Sequence, residues 1–422
     1  MNNSNSKKQK TGVSVLLCGA CMSGNMGGQA LYLSMIDSLH KVFNEDIYVC
    51  VLSKYPEDDR EACEEAGWDM VPFKTLTQIK YGIPFFLIGS ICRLIHLPWK
   101  WAVKGPLKEY CKHDILLDLS GISFTDDRNF SGLIINCLWL IPSLVTNLPY
   151  IKVSQAMGPF TRFSVKNASR FFLSRAGVLV SRGSISAKYL QELLPDRNIY
   201  ELPDVAFLLK PSPPEDVEQV LVSLGIQAGQ AYCVIGPSMV VDGLMNNENK
   251  SQSYSSLMAN ITDKLSEISS LPIILLPHER AHSGSITDDL NICRKIYQIL
   301  EHKDNVYVLS EIYSSRLLKG IIAGAEMVVG SRFHFMVAAM SSGVPGMAIT
   351  WSHKYYEMME ILDQGQYAIN YLDADNINLL DRVTELWQQR REIMSHINSL
   401  LPGVIKRAEM NAILVKSFLE KS

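Results

Sequence analysis

Arg332, His334 and Lys354 are the side chains with the most chemistry to offer, and they fall in one stretch, VVGSRFHFMVAAMSSGVPGMAITWSHK at 328–354. An arginine meets phosphate or carboxylate through a planar fork of donors, a histidine moves a proton near neutral pH, and a lysine adds a compact positive charge. Together they describe an anion site with an acid–base group. Val328 and Val329 read as the end of a buried strand, Gly330 and Ser331 break it, and 335–342 has the Ala/Met composition of a helix. Arg332 and His334 are then expected in an extended junction, where residues two apart face the same side. In a parallel α/β layer such a junction lies at the carboxyl edge of the sheet, and the next helix aims free N–H groups at any anion there. Gly343 and Pro345 end the helix, 347–351 forms a second apolar strand, and Lys354 emerges at the same edge.

The same logic marks Arg182, which follows the apolar run GVLVS at 177–181, with Ser184 expected to cap a helix over 185–194. His278 and Glu279 follow a strand at 273–277 and suit proton transfer; Asp126 and Asp127 sit in the polar loop ISFTDDRN. Each has an ordinary alternative, such as a solvated ion pair or a histidine satisfied by a backbone carbonyl. His278, His282, Asp288 and Asp289 lack a recognised ligand spacing, so no metal is expected. No P-loop or nucleophile elbow occurs.

These groups need a scaffold, and apolar strands alternate with helical segments through most of the chain. With 422 residues, two doubly wound α/β domains are the natural reading. Residues 1–11 read as a disordered leader and 12–209 as the first domain. The proline-rich KPSPPE at 210–215 reads as a linker, 216–378 as the second domain and 379–422 as a helical tail. The glycine-rich turn at 22–28 reads either as a close backbone approach or as a flexible turn; it lacks a full dinucleotide fingerprint. Hydrophobic residues make up 47% and charged residues 20%, the mix of a folded enzyme, and a net charge of −3 without a basic stripe argues against nucleic-acid binding. Nine scattered cysteines with no Cys-x-x-Cys pair and no signal peptide suit reduced thiols in a cytoplasmic protein. The apolar segment 82–103 is interrupted by Arg93, His96, Pro98 and Lys100, which disfavours a membrane span. It suits a partly buried helix, or peripheral contact with the inner face of the membrane.

The 328–354 stretch resembles the C-terminal signature of the polysaccharide pyruvyl transferase family, an Arg-x-His segment followed by a helix, a Gly-Val-Pro turn and a strand ending in lysine. Gly24 and Asn25 with Gly27 and Ala30 resemble its first glycine-rich turn. QAMGP from Gln155 resembles its Gln-x-x-Gly-Pro loop, Ser181 and Arg182 with Ser186 its Ser-Arg-Asp-x-x-Ser motif, and DVAF from Asp204 its Asp-x-Ala-Phe motif.

The resemblance implies two Rossmann-like domains facing a cleft, as in GT-B glycosyltransferases, with the acceptor on the first domain and the donor on the second. It implies transfer of the pyruvyl group of phosphoenolpyruvate to a sugar, forming a ketal and releasing phosphate. Phosphoenolpyruvate is then a co-substrate, with no cofactor, and the other partner is a nucleotide- or lipid-linked sugar. His334 is the expected proton donor; Arg182, Arg332 and Lys354 are expected to hold the donor. Asn25, Asp126, Gln155, Asp204, His278 and Glu279 are acceptor or cleft candidates. The chain departs from the family at Gly28-Gln29, where an acidic residue is common, at Leu119-Ser120-Gly121 in place of three glycines, and at Gly183 in place of aspartate. The alternatives are a GT-B-type glycosyltransferase using a nucleotide sugar and a non-catalytic partner in polysaccharide assembly.

Overall fold

Strands of the first sheet alternate their side chains between two apolar layers, and β1 (Val13–Cys18) shows the period of two directly. Val15 and Leu17 join one buried cluster while Leu16 and Cys18 join another. The computed structural model describes residues 12–44, 46–94, 103–248, 252–280, 288–374 and 376–421. The expected leader 1–11 lies outside them.

The first sheet continues with β2 (Ile47–Ser53), β3 (Asp69–Pro72), β4 (Ile115–Asp118), β5 (Ile122–Ser123), β6 (Tyr150–Met157), β7 (Val178–Ser181) and β8 (Ile199–Glu201). Its order is β3-β2-β1-β4-β6-β7-β8, with β5 beside β6, and the pairings are parallel. The second sheet comprises β9 (Cys233–Gly236), β10 (Ile273–Leu275), β11 (Val306–Val308), β12 (Val328–Gly330), β13 (Gly346–Thr350) and β14 (Ala368–Asn370). It is also parallel, in the order β11-β10-β9-β12-β13-β14. The strand order reverses beside β1 in one sheet and beside β9 in the other, which opens a crevice at the carboxyl ends of each. The fold is two parallel-sheet α/β domains with a GT-B-like arrangement.

Several boundaries differ from the sequence reading. Pro214 already begins helix Pro214–Ser223, where a proline at the first position gives up no needed N–H, so the linker is shorter than 210–215. The final helix runs Asn376–Leu419 and packs on both helix Tyr254–Ser269 of the second domain and helix Met26–Phe43 of the first. It clasps the two domains together. Strands β3 and β8 and helix Met239–Asn247 were not anticipated: β3 and β8 are short and partly exposed, without a run of buried apolar residues. No disulfide joins any of the nine cysteines. Within 82–103, residues 83–94 are helical and 95–102 lie outside the described residues. No described helix is long and apolar enough to cross a membrane.

Candidate active site

A cavity of about 500 Å³ lies between the domains at the carboxyl edges of both sheets. Asn25, Lys54, Arg128 and Arg182 line the first-domain wall; His278, Glu279, Arg332, His334 and Lys354 line the second. Two helices begin here, Met26–Phe43 and Phe333–Met340, and their N-terminal N–H groups favour negative charge in the space between. Asn25 caps the first helix, its Oδ1 accepting from the Gly28 N–H at 3.2 Å. The backbone around it is stitched to the second domain: the Arg280 N–H donates to the Gly24 carbonyl at 2.8 Å, and Asn25 pairs with Glu279. Gly27 answers the question of the glycine-rich turn. A Cβ there would fall 2.1 Å from His334 Nδ1, so the absent side chain makes room for the imidazole. The turn is a close approach.

Arg182, Asp204 and His334 form the centre of the site. Arg182 leaves the end of β7 and donates from Nη1 to Asp204 Oδ2 at 2.6 Å; the pair is almost wholly buried. Asp204 also accepts the Ala206 N–H at 2.9 Å, which fixes it at the start of a short turn of helix, Val205–Leu208. Burial alone would raise the Asp204 carboxyl, but Arg182 and then His334 hold it well below the ordinary carboxylate range. His334 Nε2 stands 3.6 Å from Asp204 Oδ2, beyond hydrogen-bond distance. It has no other partner, and Arg182 Nε and Nη2 are likewise buried and unpartnered. Such groups are costly unless something else accepts from them. Burial lowers the His334 pKa, with Asp204 opposing and Arg182 and Lys354 adding to the fall. In the empty cleft the imidazole is therefore biased toward neutral, and an anion beside it would reverse that bias.

Lys354 carries its ammonium 4.2 Å from the Trp351 ring centre, and the Arg182 guanidinium lies 4.1 Å over Phe333. Burial first, then Arg182, Arg128 and Arg332, push Lys354 well below an ordinary lysine pKa. Lys54 and Arg128 are also lowered, chiefly by burial. Among the described residues Lys54, Arg128 and Lys354 have no carboxylate partner, so the cavity concentrates uncompensated positive charge. Lys54 and Arg128 were missed in the sequence, although Lys54 follows the strand end at Ser53 and Arg128 precedes the helix-capping Asn129.

Arg332 and His334 do not share an extended segment. Arg332 is the N-cap of helix Phe333–Met340, and His334 is already in its first turn, so the side chains diverge. Arg332 forks onto Asp289 at 2.8 and 2.7 Å and also pairs with Glu279. Asp289 accepts in turn from the Met239 and Glu279 N–H groups at 3.0 and 2.9 Å. The Arg332 fork is thus occupied by protein carboxylates, and it holds the loop bearing His278 and Glu279. Burial raises the Glu279 pKa against the pull of Arg332. His278 is driven down to about 3, by burial and then by His334 and Arg332, and stays neutral.

Three candidates lie outside the cavity lining: Asp204, buried behind Arg182, and Asp126 and Gln155, whose side chains meet none of the site's cations. Asp126 accepts from Thr161 Oγ1 at 2.7 Å and Arg162 Nε at 3.0 Å, tying one surface loop to another. Gln155 is a fully buried residue of β6, where it accepts from Ser123 at 2.6 Å and donates to Asp118 at 3.1 Å. Ser184 does not cap its helix. Gly183 is the N-cap, and the Ile185 N–H donates to Glu357 of the second domain at 2.7 Å. A carboxylate from across the interface replaced the local hydroxyl. Among the described residues, Cys50, Glu109 and His113 form the one group with metal-ligand spacing, and none of them lines the cavity.

A family model described as polysaccharide pyruvyl transferase matches residues 25–353, from the helix-capping asparagine through the strand–helix unit that carries His334. The chain belongs to the polysaccharide pyruvyl transferase family. Members are transferases of polysaccharide biosynthesis, and the matched span includes Gly27, Arg182, Asp204 and His334. The amylovoran biosynthesis protein AmsJ of Erwinia amylovora is 19% identical over 407 residues, covering 91% of this chain and 94% of its own length. The UDP-GlcNAc 2-epimerase of Neisseria meningitidis, solved with UDP-GlcNAc bound, has a TM-score of 0.62 at 10% identity, covering 97% of this chain and 100% of its own. The corresponding enzyme of Methanocaldococcus jannaschii has a TM-score of 0.56 at 13% identity, with 89% and 92% covered. At these identities the epimerases speak for the fold of this pyruvyl transferase family member, not for its chemistry.

Proposed function

We propose that this member of the pyruvyl transferase family moves the pyruvyl group of phosphoenolpyruvate onto two hydroxyls of a sugar, forming a ketal and releasing phosphate. The observation that carries this reading is the trio Arg182, His334 and Lys354 in one cavity: two unpartnered Arg182 donors and the unpartnered His334 Nε2 beside one buried carboxylate, Asp204, with Lys354 lining the same space. Phosphoenolpyruvate brings a carboxylate and a phosphate, which need convergent cations and would return the proton to His334. Protonated His334 delivers that proton to the methylene carbon as a sugar hydroxyl bonds to the neighbouring carbon. Arg182 and Lys354 stabilise the carboxylate and the departing phosphate, while Arg332 keeps His278 and Glu279 in place. The carbon–oxygen bond to phosphate then breaks and a second hydroxyl closes the ketal. Of the two hydroxyl protons, one makes good the proton given to carbon and the other leaves with phosphate. Lys54 and Arg128, on the opposite wall, suit the phosphate of a nucleotide- or lipid-linked acceptor.

Phosphate release from phosphoenolpyruvate, measured over a panel of nucleotide- and lipid-linked sugars, tests the proposal. Acceptor-dependent release is expected from the native protein, falling by ~10²–10⁴-fold in His334→Ala. Near-normal release by that variant would remove His334 from the chemistry. Binding of a nucleotide sugar that phosphoenolpyruvate does not compete with, and no release with any acceptor, would favour a glycosyltransferase instead.

A further inference from the structure

Residues 75–94 form one continuous helical run, made of Thr75–Thr77, a wider turn at Gln78–Gly82, and Ile83–Leu94. One side of it packs on the domain. Gln78, Phe85 and Cys92 are buried there, and Gly89 lies so close to helix Phe130–Thr146 that a Cβ would meet Val145 at 2.3 Å. The other side shows Leu76, Ile79, Ile83, Leu87 and Ile91, three or four residues apart and each between 42% and 81% exposed. A helix that is apolar on both sides and covered on one calls for a second apolar medium.

The apolar surface extends beyond this helix. Helix Phe130–Thr146 packs beside it and helix Phe163–Leu173 packs beside that, all against the same buried layer of the first sheet. They add Phe130 at 60% and Phe163 at 85% exposure. Charge follows the same boundary: none of the three helical stretches contains an aspartate or glutamate, Lys80, Lys166 and Arg170 are exposed on them, and Arg175 is exposed just past the last. Arg175 stacks 4.0 Å over Phe171, so apolar and basic groups are interleaved. Phe130 is two residues from Arg128 of the cavity wall, which places this surface beside the cleft.

We propose that this face docks on a bilayer surface carrying anionic lipid headgroups, with the 76–91 stripe and Phe163 entering the interface and the lysines and arginines meeting the headgroups. Helices with exposed apolar groups, basic residues and no acidic ones are what such a surface binds, and no helix here needs to cross it. A second copy of the chain fits less well, because two such basic faces would repel.

Co-sedimentation of the full chain with vesicles tests this without donor or acceptor, so its outcome is separate from that of the transfer reaction. Vesicles of phosphatidylcholine with phosphatidylglycerol should bind the protein more tightly than phosphatidylcholine alone. The variant Leu87→Glu/Ile91→Glu, altered only at exposed positions, should bind at least ~10-fold more weakly. Lys166→Glu/Arg170→Glu should lose mainly the preference for anionic vesicles, as should high salt. Both variants should keep the native melting curve. No binding of the native chain to the anionic vesicles, or unchanged binding by the leucine–isoleucine variant, overturns the proposal. A native dimer that ignores vesicles and becomes monomeric in that variant would identify the face as a contact between copies, and would also overturn it.

Discussion

Replacing Gly27 by alanine perturbs the site through one methyl group placed on the backbone beside the imidazole. The new Cβ would lie 2.1 Å from His334 Nδ1, 2.5 Å from its Cγ and 2.8 Å from its Cβ. Ordinary contact begins at 3.4 Å, so the ring must retreat by about 1.3 Å, and because the root of the side chain is also too close, rotation about the side-chain bonds does not relieve the clash. The backbone at Gly27 is in the first turn of a helix and outside the positive-φ region, so alanine itself is acceptable there. Alanine for glycine within a helix stabilises by ~0.5–1 kcal/mol, which offsets part of the displacement cost. A misplacement of about 1 Å at a reacting group costs on the order of 10²-fold in rate. Acceptor-dependent phosphate release should therefore fall about 100-fold in Gly27→Ala, while thermal unfolding stays close to native. A variant within about threefold of the native rate would refute the reasoning that this glycine exists to seat His334. A variant that loses activity only because it unfolds would show itself in the melting curve.

Asp204→Asn removes the carboxylate that balances buried Arg182, and breaking such a pair typically costs ~3–5 kcal/mol. Because the Asp204 pKa is depressed in the folded chain, its contribution is full above the ordinary carboxylate pKa and fades as the pH falls toward the folded value. Urea midpoints should drop on acidification more steeply for the native protein than for Asp204→Asn; parallel pH dependences would contradict this. Phosphoenolpyruvate binding should be accompanied by proton uptake near pH 7.5, because burial depresses the His334 pKa in the empty cleft and ligand charge restores it. Calorimetry in buffers of different ionisation heat measures the uptake, and His334→Gln should lose most of it. Equal uptake in that variant would place the proton elsewhere.

The parallel strands were legible because their apolar runs must be buried on both faces. The strand–helix junctions at Arg182 and Arg332 were legible for the same reason. What those arginines touch was not. Arg332 meets Asp289 and Glu279 through a loop whose path depends on β9, β10 and the helix after it, and no local pattern encodes that meeting. The extended reading of residues 332–334 failed because the helix starts earlier than its alanines suggest, with aromatic Phe333 as its first residue. Gln155 and Asp126 resembled site residues in sequence, and the structure gives both to protein partners, one buried within β6 and one pinning Arg162. The neutralising partner of Arg182, Asp204, was named as a cleft residue but not as the arginine's counterion, since 22 positions separate them.

Product analysis with isotope-labelled phosphoenolpyruvate tests the central claim most directly. With the label at the central carbon, the native protein should place it in a sugar ketal, seen by mass and by the carbon resonance, in amounts matching the phosphate released. Arg182→Met and His334→Ala, if folded, should form little of it. Phosphate release that leaves the label in free pyruvate for every acceptor, or a labelled sugar joined through phosphate rather than through the ketal carbon, would contradict the account.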